Sequence, residues 1–203
     1  RYKGKSVAEF GDASIFSFHA TKVFNSIEGG AVTFQEDWME HRLNCLKNFG
    51  IVDQEHVVWV GGNAKMNEFQ AAMGLCNLHH LNQEIEKRRL VVERYLSGLS
   101  GVPGIRLPSF KEGLTPNYAY FPVLFEGFKA GRDQVYDCLA GHRIYPRKYF
   151  YPLINDFQCY KGRFSSKDTP VAAYVADRVL TLPCYADLEL EDVDRICGII
   201  RGM

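Results

Sequence analysis

The densest concentration of reactive side chains in the chain is Ser17-Phe18-His19-Ala20-Thr21-Lys22, followed by a second polar turn at Glu28-Gly29-Gly30. A lysine at a strand end attacks carbonyl carbon when burial or neighbouring cations favour its neutral amine, because only that form is a nucleophile. Ser17 and Thr21 offer hydroxyls able to hold a phosphate, and the glycines allow the backbone to come close to a ligand. On composition alone the same lysine also reads as a solvated turn residue. A second cluster, Arg147-Lys148 inside Tyr145-Pro146-Arg147-Lys148-Tyr149-Phe150-Tyr151-Pro152, suits phosphate recognition or a solvated basic turn equally. Cys45, Cys76, Cys138, Cys159, Cys184 and Cys197 form no C-x-x-C pair and no zinc-like spacing. No metal site is expected, and the cysteines read as reduced thiols.

The lysine must be held by the elements around it. Ala13 to Phe18 and Gly30 to Phe34 read as two strands, and Glu36 to Lys47 as a helix stopped at Asn48-Phe49-Gly50. Ile51 to Asn63 is a long connection of the kind that often carries function. Met66 to Leu99 is the longest helical pattern, with Phe69, Met73, Cys76, Leu81, Ile85, Val92, Tyr95 and Leu99 near one periodic face. A helix of that length spans about 45–50 Å, longer than a small domain is wide. Small residues from Ser97 to Gly104 mark a boundary. Beyond it, Tyr118 to Phe125 and Leu180 to Pro183 read as extended, and Arg132 to Ala140, Pro170 to Val179 and Glu189 to Arg201 as helices. The expected division is 1–100, an α/β part with the long helix, and 101–203, a small α+β domain.

The bulk numbers exclude more than they assign. In 203 residues, 24 Lys plus Arg balance 24 Asp plus Glu, which argues against a nonspecific binder of nucleic acid or membrane surface. No run is long and apolar enough to span a bilayer, no helix-turn-helix pattern stands out, and a cytoplasmic protein is expected. The chain opens Arg1-Tyr2-Lys3-Gly4-Lys5, with neither an initiator Met nor an apolar signal core.

Ser17 to Lys22 followed by Ile27-Glu28-Gly29-Gly30-Ala31 resembles the lysine motif of the pyridoxal-phosphate-dependent sugar aminotransferases of the DegT/DnrJ/EryC1/StrS family. Arg1 to Lys5 with Phe10-Gly11-Asp12 is similar to the segment before that motif. Asn63 to Gly74 resembles the family's asparagine loop and following helix, and Leu180-Thr181-Leu182-Pro183 with Asp192, Val193 and Ile196 its C-terminal signature. The resemblance implies a fold-type I, aspartate-aminotransferase-like α/β architecture: the second part of the large domain plus the small C-terminal domain. It implies that Lys22 binds pyridoxal phosphate covalently and then moves a proton between substrate carbon and cofactor. It further implies that Ser17 binds the cofactor phosphate and that Asn63 reaches the phosphate held by a neighbouring subunit, in a homodimer with shared active sites. His19 is either a substrate contact or packing beneath the lysine turn. Arg147 and Lys148 are candidate contacts to the diphosphate of a nucleotide sugar. Gly29 and Gly30 read as backbone devices.

The implied reaction is ping-pong transfer of an amino group from L-glutamate to a keto carbon of a nucleotide-linked deoxysugar, such as a dTDP- or UDP-linked 4-keto or 3-keto 6-deoxyhexose. Three positions depart from the family pattern: Ile27 where a Gly is frequent, Lys65 where an Arg is frequent, and Ile154 where the family often has His. The family's carboxylate for the pyridine nitrogen and its ring-stacking aromatic have no counterpart here. The resemblance places them before Arg1, so a longer polypeptide is expected, with these residues inactive alone. The competing reading is a noncatalytic fragment or dimerising domain that binds no cofactor.

Overall fold

The computed structural model describes residues 1–203. The apolar runs flanking the lysine turn form an antiparallel pair, β1 (Ala13–Ser17) and β2 (Gly30–Phe34), in register from Ala13 opposite Phe34 to Ser17 opposite Gly30. Helix α1 (Trp38–Leu46) follows, and the chain returns through a loop to α2 (Glu68–Leu99), a helix of 32 residues. After β3 (Ile105–Arg106) and β4 (Phe121–Phe125) come α3 (Arg132–Gly141), α4 (Pro170–Ala176), β5 (Val179–Leu182) and α5 (Leu190–Gly202). Two compact units result: residues 1–83 with 111–116, and residues 84–110 with 117–203. No helix is long and apolar enough to cross a membrane.

In the first unit, Lys3 N–H donates to the Gly113 carbonyl at 2.7 Å, tying the 111–116 segment to the chain start. Cys45 is the only buried hydrophobic residue of this unit. Ile15 on β1 is 84% exposed and Phe69 on α2 is 88% exposed. The apolar face expected along α2 therefore needs correction: Phe69, Met73 and Cys76 are exposed, whereas Val92, Tyr95 and Leu99 are buried. Apolar side chains surround the first half of α2, and only the stripe carrying Ala71, Gly74 and Asn77 is partly covered. A sequence period cannot tell which side of such a helix finds a partner.

The second unit owns the core. Strands β3, β4 and β5 form an antiparallel sheet in that order. β4 alternates buried Phe121, Val123 and Phe125 with partly covered neighbours, the two-residue period of a half-buried strand. Val193, Ile196, Cys197 and Ile200 of α5 lie at the three- and four-residue steps of one helix face and are all buried. They pack with Val91, Val92, Tyr95 and Leu99, and with Val135 and Leu139 of α3. Tyr95 stacks on Phe121 with centroids 4.8 Å apart. At Gly98 an added Cβ would meet Cys197 Sγ at 2.7 Å, so the glycine lets α2 and α5 approach closely.

Candidate active site

The lysine turn grows directly from the β1–β2 pair. Phe18 N–H donates to the Gly29 carbonyl and Ser26 N–H to the Phe18 carbonyl, both at 2.9 Å, so Phe18 closes the ladder and residues 19–25 leave it and return. Within that loop Lys22 N–H donates to the His19 carbonyl at 2.9 Å, and Phe24 folds edge-on against Phe18 at 4.8 Å. Ser26 is buried and its hydroxyl donates to the Glu28 carbonyl at 2.8 Å. Gly29 stands at φ 148°, where an added Cβ would lie 2.6 Å from Ser26 Oγ and 2.8 Å from Met66 Cε. The close approach is open only to glycine. Ile27, by contrast, holds φ 69°, a left-handed conformation unfavourable for a β-branched residue.

Ser17, His19 and Lys22 share this turn. Lys22 is half-buried, and its ammonium has no carboxylate within ion-pair distance and no hydrogen-bond acceptor in the chain. Ser17 is exposed at the end of β1, and its Oγ lies 3.4 Å from the His19 N–H. His19 neither packs beneath the turn nor stands free. Its Nδ1 accepts from the Thr21 N–H at 3.3 Å and lies 3.0 Å from the Thr21 hydroxyl, while Nε2 lies 3.5 Å from a Glu28 carboxylate oxygen. The bond from the Thr21 N–H assigns the ring proton to Nε2 in the neutral imidazole.

Asn63 belongs to the same unit. Phe49 N–H donates to the Gly62 carbonyl at 2.9 Å and Gly62 N–H to the Leu46 carbonyl at 3.0 Å, closing the loop that began at Ile51. Gly50, at φ 78°, makes room for Trp59, whose carbonyl oxygen an added Cβ would strike at 1.7 Å. The Asn63 backbone pairs with Asn48, leaving its carboxamide exposed and without a partner in the chain. Lys65 holds the loop by donating to Asn48 Oδ1 at 2.9 Å while lying 4.4 Å above the Phe49 ring.

Arg147 and Lys148 lie in the second unit. Arg147 exchanges backbone hydrogen bonds with Thr181, extending the sheet beyond β5, and its exposed guanidinium has no carboxylate partner. It borders a cleft of about 900 Å³ lined also by Tyr149, Tyr151, Ile154, Asn155 and Phe157. Lys148 is engaged differently: its ammonium pairs with Asp133 at 2.5 Å and sits 4.7 Å over the Tyr136 ring. That hydrogen bond holds the Asp133 carboxyl below its ordinary value.

Reading the sequence misses the residues that fasten the lysine turn to α2. Asn77 Nδ2 donates to the Asn25 carbonyl at 3.0 Å, and Asn25 Nδ2 donates to the Lys22 carbonyl at 3.3 Å. The available signal is an asparagine inside a helix, one turn after Gly74, where helix propensity alone favours other residues.

An α/β unit displaying an unpaired lysine on a strand-end turn, followed by a small α+β unit, is the arrangement of the second half of a fold-type I transferase. The family profile of the "DegT/DnrJ/EryC1/StrS aminotransferase family" matches residues 1–201, and the chain belongs to that family. It is similar to the dTDP-4-amino-4,6-dideoxy-D-glucose transaminase of Shigella dysenteriae, at 37% identity over 97% of this chain and 54% of the relative. The Escherichia coli protein of the same name is 41% identical over 87% of this chain and 48% of its own length. Among solved structures, DesI, determined in the presence of its TDP-sugar product, matches with TM-score 0.90 and 31% identity, over 99% of this chain and 52% of DesI. The chain thus spans about half the length of the relatives it matches.

Proposed function

We propose that the polypeptide carrying this chain is a pyridoxal-phosphate-dependent transaminase that places an amino group from L-glutamate on the keto carbon of a deoxysugar nucleotide. In this reading residues 1–100 complete the large domain and residues 101–203 form the small one. The observation that carries it is the Lys22 amine, free of any carboxylate on a turn anchored at both ends, within a sequence of the family. The names of the Shigella and Escherichia relatives support a dTDP-linked sugar aminated at C4.

The donor set suits the cofactor: one unpaired amine, the exposed Ser17 hydroxyl at the strand end that opens the same turn, and a Gly29 that admits close backbone approach. Pyridoxal phosphate, when bound, supplies an aldehyde for the lysine and a ring that draws electrons from the substrate carbon. Lys22 would hold it, and its released amine would move a proton between the substrate carbon and the cofactor. Ser17 would donate its hydroxyl to the phosphate. The exposed Asn63 carboxamide would serve the phosphate of a second copy in a homodimer. His19, whose Nδ1 faces Thr21 and whose Nε2 faces Glu28, would help shape the substrate side of the turn rather than donate to substrate, and Arg147 would meet the diphosphate.

A noncatalytic fragment or dimerising domain that binds no cofactor is the competing reading; in it the exposed apolar residues of the first unit, Ile15 and Phe69 among them, would meet a second copy. Titration of the full-length gene product with pyridoxal phosphate separates the two. The transaminase reading expects a saturable, phosphate-dependent absorbance that borohydride fixes on the Lys22 peptide and that Lys22→Ala abolishes. Full turnover by Lys22→Ala would overturn it.

A further inference from the structure

We infer that Asn77 is a positioning residue for Lys22, acting through Asn25; the inference rests on the reading of Lys22 as the cofactor lysine. Two hydrogen bonds in series connect them. Asn77 Nδ2 donates to the Asn25 carbonyl at 3.0 Å and lies 3.5 Å from Asn25 Oδ1. Asn25 Nδ2 in turn donates to the carbonyl of Lys22 itself, at 3.3 Å. Gly74, one helical turn before Asn77, brings the same stripe of α2 to the loop: an added Cβ there would stand 3.5 Å from Ser26 Cβ and 3.8 Å from the Phe24 ring. The segment from Lys22 to Ser26 is thereby seated on α2, with Asn77 supplying the donor.

The arrangement has a local cost and a local gain. Asparagine inside a helix gives up propensity relative to alanine. Its carboxamide instead satisfies a carbonyl of a loop that forms no ladder, and partly buried carbonyls left unpaired are costly. The backbone of Lys22 is otherwise held only by its turn bond to the His19 carbonyl, at 2.9 Å. Without Asn77, Asn25 loses its hold on α2 and the Cα from which the Lys22 side chain springs becomes free to shift. A shift of about 1 Å is enough to misplace a reacting group by one to two orders of magnitude in rate.

The test uses the full-length gene product with pyridoxal phosphate as probe, at a temperature where circular dichroism shows each variant folded. After borohydride fixation, peptide mass mapping gives the modification of Lys22 relative to Lys65 and Lys47 of the same molecules, across a pH series. A contribution of Asn77 to global stability alone would not change this internal ratio. Asn77→Leu, close in shape but without a donor, is expected to lower the ratio about tenfold. Asn77→Gln, which keeps the carboxamide, is expected to stay within about threefold of the parent. Asn77→Ser, too short to reach the Asn25 carbonyl, gives the same comparison if the leucine variant does not fold. An unchanged ratio in Asn77→Leu and Asn77→Ser overturns the role of Asn77 and leaves the reading of Lys22 intact. Equal losses in Asn77→Leu and Asn77→Gln also overturn it, because packing rather than the donor would then matter. No preference for Lys22 in the parent protein overturns the lysine reading, and this inference with it.

Discussion

Arg94 and Asp194, 100 residues apart in sequence, meet through two side-by-side contacts, Nε to Oδ1 at 2.7 Å and Nη2 to Oδ2 at 2.5 Å. The pair fastens the second half of α2 to α5 above the core that both helices share. The hydrogen bond from Arg94 holds the Asp194 carboxyl below its ordinary value. A carboxyl depressed in the folded state contributes stability above its unfolded pKa and loses it as pH falls through the folded one. Asp194→Asn should therefore lower the melting temperature at pH 7 by about 2 °C at most, since the pair is solvent-exposed. The gap to the parent protein should close as pH drops below 3.8, the ordinary carboxyl value. A gap that persists unchanged at pH 2 would show that the pair is not its source.

Arg147 and Lys148 are neighbours with different commitments, and the two should respond differently to truncation. Arg147 has no carboxylate partner, whereas Lys148 is paired with Asp133. If Arg147 meets a diphosphate, Arg147→Ala removes a charge-assisted hydrogen bond and should raise KM for the nucleotide sugar by about 10- to 100-fold with little change in melting temperature. Lys148→Ala should instead lower stability slightly, by leaving Asp133 with Arg132 as its one cation, with the smaller effect on KM. Steady-state kinetics and thermal melts on both full-length variants check the contrast.

Ile27 takes the left-handed backbone conformation at φ 69° with half of its surface exposed. A β-branched residue there gives up about 1–2 kcal/mol, partly returned by its lower unfolded-state entropy relative to glycine. Ile27→Gly should therefore stabilise the protein by about 0.5–1 kcal/mol in urea melts. A destabilised variant would mean that the Ile27 side chain finds packing that outweighs its backbone strain.

Hydrogen exchange should separate the two units. Backbone amides of β4 and β5, flanked by Phe121, Val123, Leu180 and Leu182 at 1% exposure or less, should be among the slowest in the chain. Amides of β1 and β2, where Ile15 is 84% and Val32 41% exposed, should exchange orders of magnitude faster in a preparation of residues 1–203. Protection in β1 equal to that in β4 would show that the first unit is stable by means other than its own packing.

The strands at 13–17 and 30–34, the long helix, and the closing helix were legible in the sequence because each carries its own period or β-branched run. Family membership was legible too, since Ser17 to Lys22 and Glu28 to Ala31 are contiguous motifs and need no folding to be seen. Contacts between distant residues were not. Asn77 reaches Asn25 across 52 positions and Lys148 finds Asp133 across a turn of irregular chain, and neither meeting leaves a periodic trace. Burial along α2 was equally hidden: apolar Phe69 and Met73 resemble apolar Tyr95 and Leu99 on paper, yet only the latter have a sheet and α5 against them. The sequence by itself determined which residues could do chemistry and which local shapes present them. Tertiary structure alone decided which of those side chains are free to act, because a charge or amide is committed only by what the fold brings to it. Lys22 is left unpaired while Lys148 is paired with Asp133, and His19 is turned by Thr21 and Glu28.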